Sequence, residues 1–173
     1  DNHRLKVIEL LNLVRSHAVG WGRILDKEET RGMILLRALS LSHGYSGARV
    51  AVVEQLLWLL EADVCPWIPS RGSVGASGDL APLSHLALVL MGEGHVVGAA
   101  GERLEAGPVL AAAGREPLVL EAKEGLALIN GTQLMNGLGL LGVHRAMRLV
   151  RRAALAASLS LEALEGSALP FGE

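Results

Sequence analysis

One cysteine, one tyrosine and one phenylalanine occur in 173 residues. The lone Cys65 excludes an internal disulfide, and a single thiol fits a reducing compartment, so the cytoplasm is the expected location. Pro66 and Trp67 follow it and nothing basic stands beside it, which favours a buried structural thiol over a nucleophile. An excess of either charge is also missing. The net charge is −2 with both signs dispersed, leaving no electrostatic reason to expect nucleic acid or an anionic membrane as partner. The one basic cluster, Arg148, Arg151 and Arg152, has helical spacing and reads as a solvated or interface face. No internal repeat or low-complexity linker occurs. No secretory pattern opens the chain, since Asp1-Asn2-His3-Arg4 runs straight into an amphipathic stretch. The most membrane-like stretch, Leu126 to Val143, is interrupted by Asn130, Thr132, Gln133 and Asn136. A spanning helix needs about 20 mostly apolar residues, so a buried helix in a large bundle is expected instead.

What is present is apolar and helical. Half of the residues are hydrophobic and 20% are charged, a composition that buries a core. Leu5, Ile8, Leu11, Val14 and Ala18 recur at three- and four-residue steps and predict a helix over about 3–19. Asp26 followed by Glu29 suggests a capping box, opening a helix that runs to Ser42 and ends at Gly44. A third helix is expected over 47–63, bounded by Pro66 and Pro69. Residues 65–79 read as a loop. Asp79 is a natural N-cap for a helix from Leu80 to about Gly92, with Pro82 tolerated in its first turn. A small hairpin is expected near 95–107, then helices over 108–113, 119–136 and 138–165. The last two are apolar on nearly every face and need more neighbours than this chain supplies. The expectation is one partial domain over 1–173 that belongs to something larger, to an intimate oligomer, or to both.

The stretch richest in chemistry is Gly72-Ser73-Val74-Gly75-Ala76-Ser77-Gly78-Asp79-Leu80-Ala81-Pro82-Leu83. Three readings compete. Glycines before a helix N-terminus form a generic anion site, but the Gly-Lys-Ser/Thr ending, a preceding strand and the Gly-x-Gly-x-x-Gly spacing are missing, so this signal is weak. A serine-hydrolase elbow needs Gly-x-Ser-x-Gly. Here Asp79 occupies the second glycine position, and His85 lies about two turns along the next helix, too far to deprotonate Ser77 directly. The third reading is backbone cyclisation. The Gly78 nitrogen attacks the Ala76 carbonyl carbon, Ala and Gly being the least obstructive residues for that closure. Loss of one water from the ring and one from Ser77 leaves a methylidene-imidazolone. No coded side chain is a comparable electrophile, so an enzyme needing one must bind it or make it. A helix starting at Leu80 points its positive end at this loop and favours negative charge there.

This stretch is similar, nearly residue for residue, to the signature of the aromatic amino acid ammonia-lyases of the methylidene-imidazolone type. Gly44-Tyr45-Ser46-Gly47-Ala48-Arg49, the block from Lys123 through Asn130 to Gln133, Ser160-Leu161-Glu162-Ala163-Leu164 and Pro170-Phe171 resemble further family blocks in family order. The resemblance implies a mainly α fold, a helical bundle segment of the fumarase/aspartase-like superfamily. It implies that the chain is the central part of a longer lyase, with an N-terminal loop segment and a C-terminal helical part outside it. It also implies a homotetramer with shared active sites acting on a small amino acid, with no metal and no diffusible cofactor, the electrophile arising from Ala76, Ser77 and Gly78.

The family's first helix carries a residue pair that faces the substrate ring, and Ser16-His17 looks like the histidine type. His17 can exchange a hydrogen bond with an imidazole, which leucine cannot; read without the resemblance, it is a half-buried helix histidine with a backbone partner. Asn130 matches the family asparagine near the prosthetic ring and substrate; read alone, it is a cap or a buried polar residue. Asp79 is expected to cap its helix and, by the resemblance, to assist ring formation. Tyr45 matches a structural position, and His43, His85, His95 and His144 match no functional one. The implied reaction is deamination of L-histidine to trans-urocanate and ammonia. In it the substrate amine adds to the methylidene carbon from Ser77 (attack by the aromatic ring is the rival route), and a tyrosine outside this segment removes the β-hydrogen. A phenylalanine or tyrosine lyase or aminomutase is the alternative within the family. A non-catalytic helical assembly module is the alternative outside it. The segment by itself is expected to be inactive.

Overall fold

A computed structural model describes residues 2–73 and 78–172, with residues 2–7 and 10 by backbone only. The elements in order are α1 (Asn2–His17), β1 (Trp21–Ile24), α2 (Lys27–Ser42), α3 (Val50–Glu61), β2 (Pro69–Arg71), α4 (Leu80–Leu90), β3 (His95–Val97), β4 (Arg103–Glu105), α5 (Ala106–Ala112), α6 (Glu124–Ile129) and α7 (Gln133–Ala163), then a 3-10 turn at Leu169–Phe171. The chain divides into a unit Asp1–Leu138 and a unit Gly139–Glu173.

The first unit holds the core. Helix α2 starts as its sequence predicts: the Glu29 carboxylate accepts the Asp26 N–H at 2.8 Å, the return half of a capping box. It ends at a His43 cap followed by Gly44 at φ +80°, the left-handed position glycine fills without strain. Helix α3 stops earlier than the prolines require. Asp63 takes φ +56° two residues after Glu61, and it pairs with Lys27 and, at 3.0 Å, with Arg31 on α2. Helices α2 and α3 pack side by side and bury Met33, Ile34, Leu41, Val52, Leu56 and Leu59 between them and the rest of the core. Each such side chain contributes about 1.5–3 kcal/mol on removal from water. Helix α4 is buried on almost every face, Leu83, Leu86, Ala87 and Leu90 being wholly inaccessible. It packs on α1, α5 and α6.

The expected hairpin forms, with β3 antiparallel to β4 and Val96 opposite Leu104. Two expectations are corrected. Residues 65–79 are not all loop, because Pro69–Arg71 forms β2, antiparallel to β1 across an irregular register. Period-two alternation cannot be seen in three residues, so this strand leaves no sequence signal. The single helix expected over 119–136 is instead a one-and-a-half-turn α6 and the start of α7, broken at Asn130–Thr132. Leu126–Val143 accordingly is not one buried helix. Glu124, Gly125, Ala127, Leu128 and Ile129 are buried, as are Gln133, Leu134 and Gly137. In the second unit α7 continues to Ala163 with Leu140, Val143, Met147, Leu149 and Val150 exposed.

Candidate functional site

Three elements carry the candidate residues, and they pack on one another: α1 ends in Ser16-His17, α4 begins after Asp79, and α6 ends at Asn130. Ala76 and Ser77 lie outside the described residues. Their flanks are fixed. Ser73 Oγ donates to Asp79 Oδ1 at 3.0 Å and lies 3.2 Å from the Gly78 carbonyl oxygen. Gly78 is buried at φ +98°, where an L side chain is strained. A Cβ there would overlap the Gly131 carbonyl oxygen and lie 2.7 Å from its carbon. The next residue clasps the same group, the Asp79 N–H donating to Gly131 O at 2.6 Å.

Asp79 occupies the N-cap position of α4, yet its side chain makes no bond within that helix. The carboxylate, wholly buried, reaches across to α7 and accepts the Met135 N–H at 3.0 Å. Met135 is the third residue of α7, so Asp79 satisfies one of that helix's unpaired first-turn donors. Two helix N-termini, those of α4 and α7, thus converge on Gly78–Asp79, and their partial positive charge sits where the sequence predicts an electrophile.

Opposite, the break between α6 and α7 is held by a residue the sequence reasoning passed over. Arg37 of α2 is 3% exposed. Its guanidinium donates to the carbonyls of Ala127 and, at 3.0 Å, Asn130, and to Gln133 Oε1 at 2.9 Å. Burial pulls its pKa down to about 10, so it stays cationic at neutral pH, balanced by the negative end of α6. The signal was legible: Met33, Ile34, Ala38 and Leu41 form an apolar helical stripe, and Arg37 falls on it. Asn130 is exposed, and its backbone N–H closes the helix onto Leu126 O at 3.0 Å.

On α1, His17 is half-buried with Nδ1 2.8 Å from Leu13 O, and Ser16 Oγ donates to the same carbonyl at 2.9 Å. A carbonyl only accepts, so Nδ1 carries the proton and Nε2 offers a lone pair. The backbone partner is the one expected of a helix histidine, and it orients the ring. His85, given no functional role from sequence, buttresses the segment after His17: its Nε2 accepts the Gly20 N–H at 3.1 Å. Burial, with Arg103 and His95 adding to it, holds its pKa below the ordinary value.

A second structural link joins two stretches that the sequence marked separately. Glu124, 1% exposed, accepts Arg49 Nε at 2.8 Å and Nη2 at 2.7 Å, and the N–H groups of Arg49 and Glu121 at 3.0 and 2.8 Å. Burial alone would raise its pKa; the Arg49 guanidinium and the two backbone donors outweigh that and leave it lowered.

The sequence profile of the aromatic amino acid lyases matches residues 6–173, and the chain belongs to that family. Histidine ammonia-lyase of Deinococcus radiodurans is 58% identical over 92% of this chain, and that of Sorangium cellulosum 52% over 99%. These alignments span 30% and 33% of the two relatives, so the chain is about a third of their length. The crystal structure of histidine ammonia-lyase from Trypanosoma cruzi superposes with a TM-score of 0.88 at 43% identity, covering 95% of this chain and 32% of that one. A tyrosine aminomutase from Streptomyces globisporus superposes with a TM-score of 0.89 at 44% identity, over 96% and 31%. The mainly helical fold with its two small antiparallel ribbons is therefore the fold of this family.

Proposed function

We propose that the full-length protein containing this chain releases ammonia from L-histidine to give trans-urocanate, with an electrophile made from Ala76, Ser77 and Gly78. The observation that carries the reading is at Gly78: its left-handed backbone and the Gly131 carbonyl packed against it leave room for no Cβ, in the tripeptide that matches the family signature. Those residues fit the group. In its formation the Gly78 nitrogen bonds to the Ala76 carbonyl carbon. That carbonyl oxygen leaves as water with the Gly78 and Ser77 amide protons as C=N forms to the Ser77 nitrogen. The Ser77 hydroxyl then leaves as a second water with its Cα proton. The methylidene-imidazolone supplies an electron-poor carbon and needs no bound metal or diffusible cofactor.

The remaining chemistry belongs to side chains of this chain. Asp79, fixed by Ser73 and the Met135 N–H, holds Gly78 in register and is placed to assist closure. The N-termini of α4 and α7 favour negative charge developing beside it. Asn130, at the free end of α6, offers an amide that both donates and accepts toward the amino-acid head group. His17, with Nδ1–H committed to Leu13, accepts a substrate imidazole N–H at Nε2. Histidine as substrate is supported by the relatives named histidine ammonia-lyase and by Ser16-His17; the fold alone does not select it, since the tyrosine aminomutase shares it. The assembly we propose is a homotetramer with sites completed by neighbouring subunits, and the isolated segment is inactive.

The test is the intact mass of the full-length protein, expected to be two waters below the encoded mass, whereas the Ser77→Ala variant is expected at its own encoded mass, one oxygen below the encoded wild type, with no water lost. Histidine added to the wild type is expected to raise the near-ultraviolet absorbance of urocanate. A wild-type mass with both waters retained, or no absorbance rise, overturns the reading. His17→Leu is expected to lower histidine turnover far more than it lowers any turnover of phenylalanine or tyrosine.

A further inference from the structure

A buried arginine normally answers a carboxylate. The hydrogen-bond partners of Arg37 among the described residues are three neutral oxygens, two of them backbone carbonyls at the C-terminal end of α6 and one the side chain of Gln133 in the first turn of α7. The guanidinium therefore spans the break between those helices from a third helix, α2. Within the break, the ends of the Arg37 and Gln133 side chains close over Gly131: a Cβ there would overlap Arg37 Nη1 and Gln133 Oε1 and displace them. The far side of the same peptide is the surface that touches the reactive loop, since Gly131 O receives the Asp79 N–H at 2.6 Å and crowds Gly78. One short turn thus has Arg37 on one face and Gly78–Asp79 on the other, with Asn130 at its start.

We propose that Arg37 is a positioning residue for the site, fixing the Asn130–Gly131 turn so that the Gly131 carbonyl holds the Gly78–Asp79 backbone and Asn130 faces the substrate. This rests on the proposed function for its consequence in catalysis, though not for its geometry. The planar fork matters more than the charge. Its separate N–H groups reach the α6 carbonyls and Gln133 together, and an ammonium at the end of a lysine cannot match that spread. Without the fork, two carbonyls ending α6 lose their donor and the turn gains freedom, while the α2–α3 core, which shares none of these bonds, keeps its packing.

The experiment uses the full-length protein with Arg37→Gln and Arg37→Lys. Three readouts are taken: amide hydrogen exchange at Asp79 and Met135, the time course of two-water loss by intact mass, and kcat with KM. Arg37→Gln is expected to speed exchange at both amides roughly tenfold or more, as loss of a buried charge-assisted bond frees the turn. It is expected to slow ring closure by a similar factor and to lower kcat more than it raises KM, with exchange at Leu56 and Leu59 of α3 unchanged. Arg37→Lys is expected to recover part of each, and it carries the test if Arg37→Gln does not fold. Wild-type exchange and wild-type closure in the folded variants overturn the inference, as does faster exchange spread evenly over α3, which marks a general stability role. If the wild type itself never loses water, the proposed function falls, and the exchange at Asp79 and Met135 decides the role of Arg37 by itself.

Discussion

Gly78 shows how much a single position can demand. A methyl group there meets backbone on one side and an unfavourable φ on the other, so neither neighbour nor chain can yield cheaply. Gly78→Ala is expected to destabilise the full-length protein by about 2–4 kcal/mol, the sum of overpacking and left-handed strain, read by chemical denaturation. Glycine's necessity here was visible in the sequence as part of a signature, whereas its physical reason, the Gly131 carbonyl, comes from 53 residues further on and no local pattern announces it. Asp79 is the converse case: its type and position predicted a cap, and it is one, but for α7 rather than for its own helix. His85 gives a pH-dependent prediction. Its Nε2 must stay unprotonated to accept from Gly20, and its pKa is depressed by burial and by Arg103 and His95. The unfolded chain therefore takes up the proton first. The stabilisation is complete above the ordinary histidine value of 6.5 and fades as pH falls below it. His85→Gln, whose Oε1 can accept the same N–H, is expected to flatten the thermal-stability profile as pH falls below 6.5; an unchanged slope would assign that dependence to other groups.

Elements were legible where their period was long. α1 and α2 lie close to where their apolar spacing and the capping box put them, and α4 close to where its Asp79 cap and closing glycine did, because about three to four turns repeat one pattern between clear end signals. β2 and the α6–α7 break were not, since a three-residue strand has too little pattern to read, and the polar run Asn130-Gly131-Thr132-Gln133 was read as part of one helix because the arginine that holds the turn lies far away in sequence. The Arg49–Glu124 pair was equally hidden, although both residues fall in stretches the sequence had marked. It ties the N-cap residue of α3 to the first residue of α6. Arg49→Met is expected to cost about 2–3 kcal/mol, below the roughly 3–5 kcal/mol of a fully buried pair losing one partner, because the guanidinium is 40% exposed. Glu124→Gln should cost less, and thermal unfolding of the two variants and the double variant measures the coupling.

At the scale of the molecule, α7 leaves much of its apolar surface uncovered by the described residues. Leu140, Leu149 and Val150 are each exposed by about two thirds, and an apolar helix surface of that extent calls for a protein neighbour. The proposed tetramer supplies one. Light scattering on the full-length protein is expected to give four chains per particle. Leu149→Lys with Val150→Lys is expected to shift it toward smaller species and to depress activity with them, whereas an unaltered tetramer would place the contact elsewhere on the helix. The ion pair between Arg49 and Glu124 also has a consequence in time. Seventy-five residues separate them, so at ordinary synthesis rates Arg49 emerges roughly 4–15 seconds before its partner exists. During that interval α3 has no acid to dock its leading end, and the α2–α3 pair must stand on apolar packing alone. The glycine-rich loop, translated between the two, is therefore made before its surroundings can close on it, and the proposed ring closure is expected late in maturation rather than on the nascent chain.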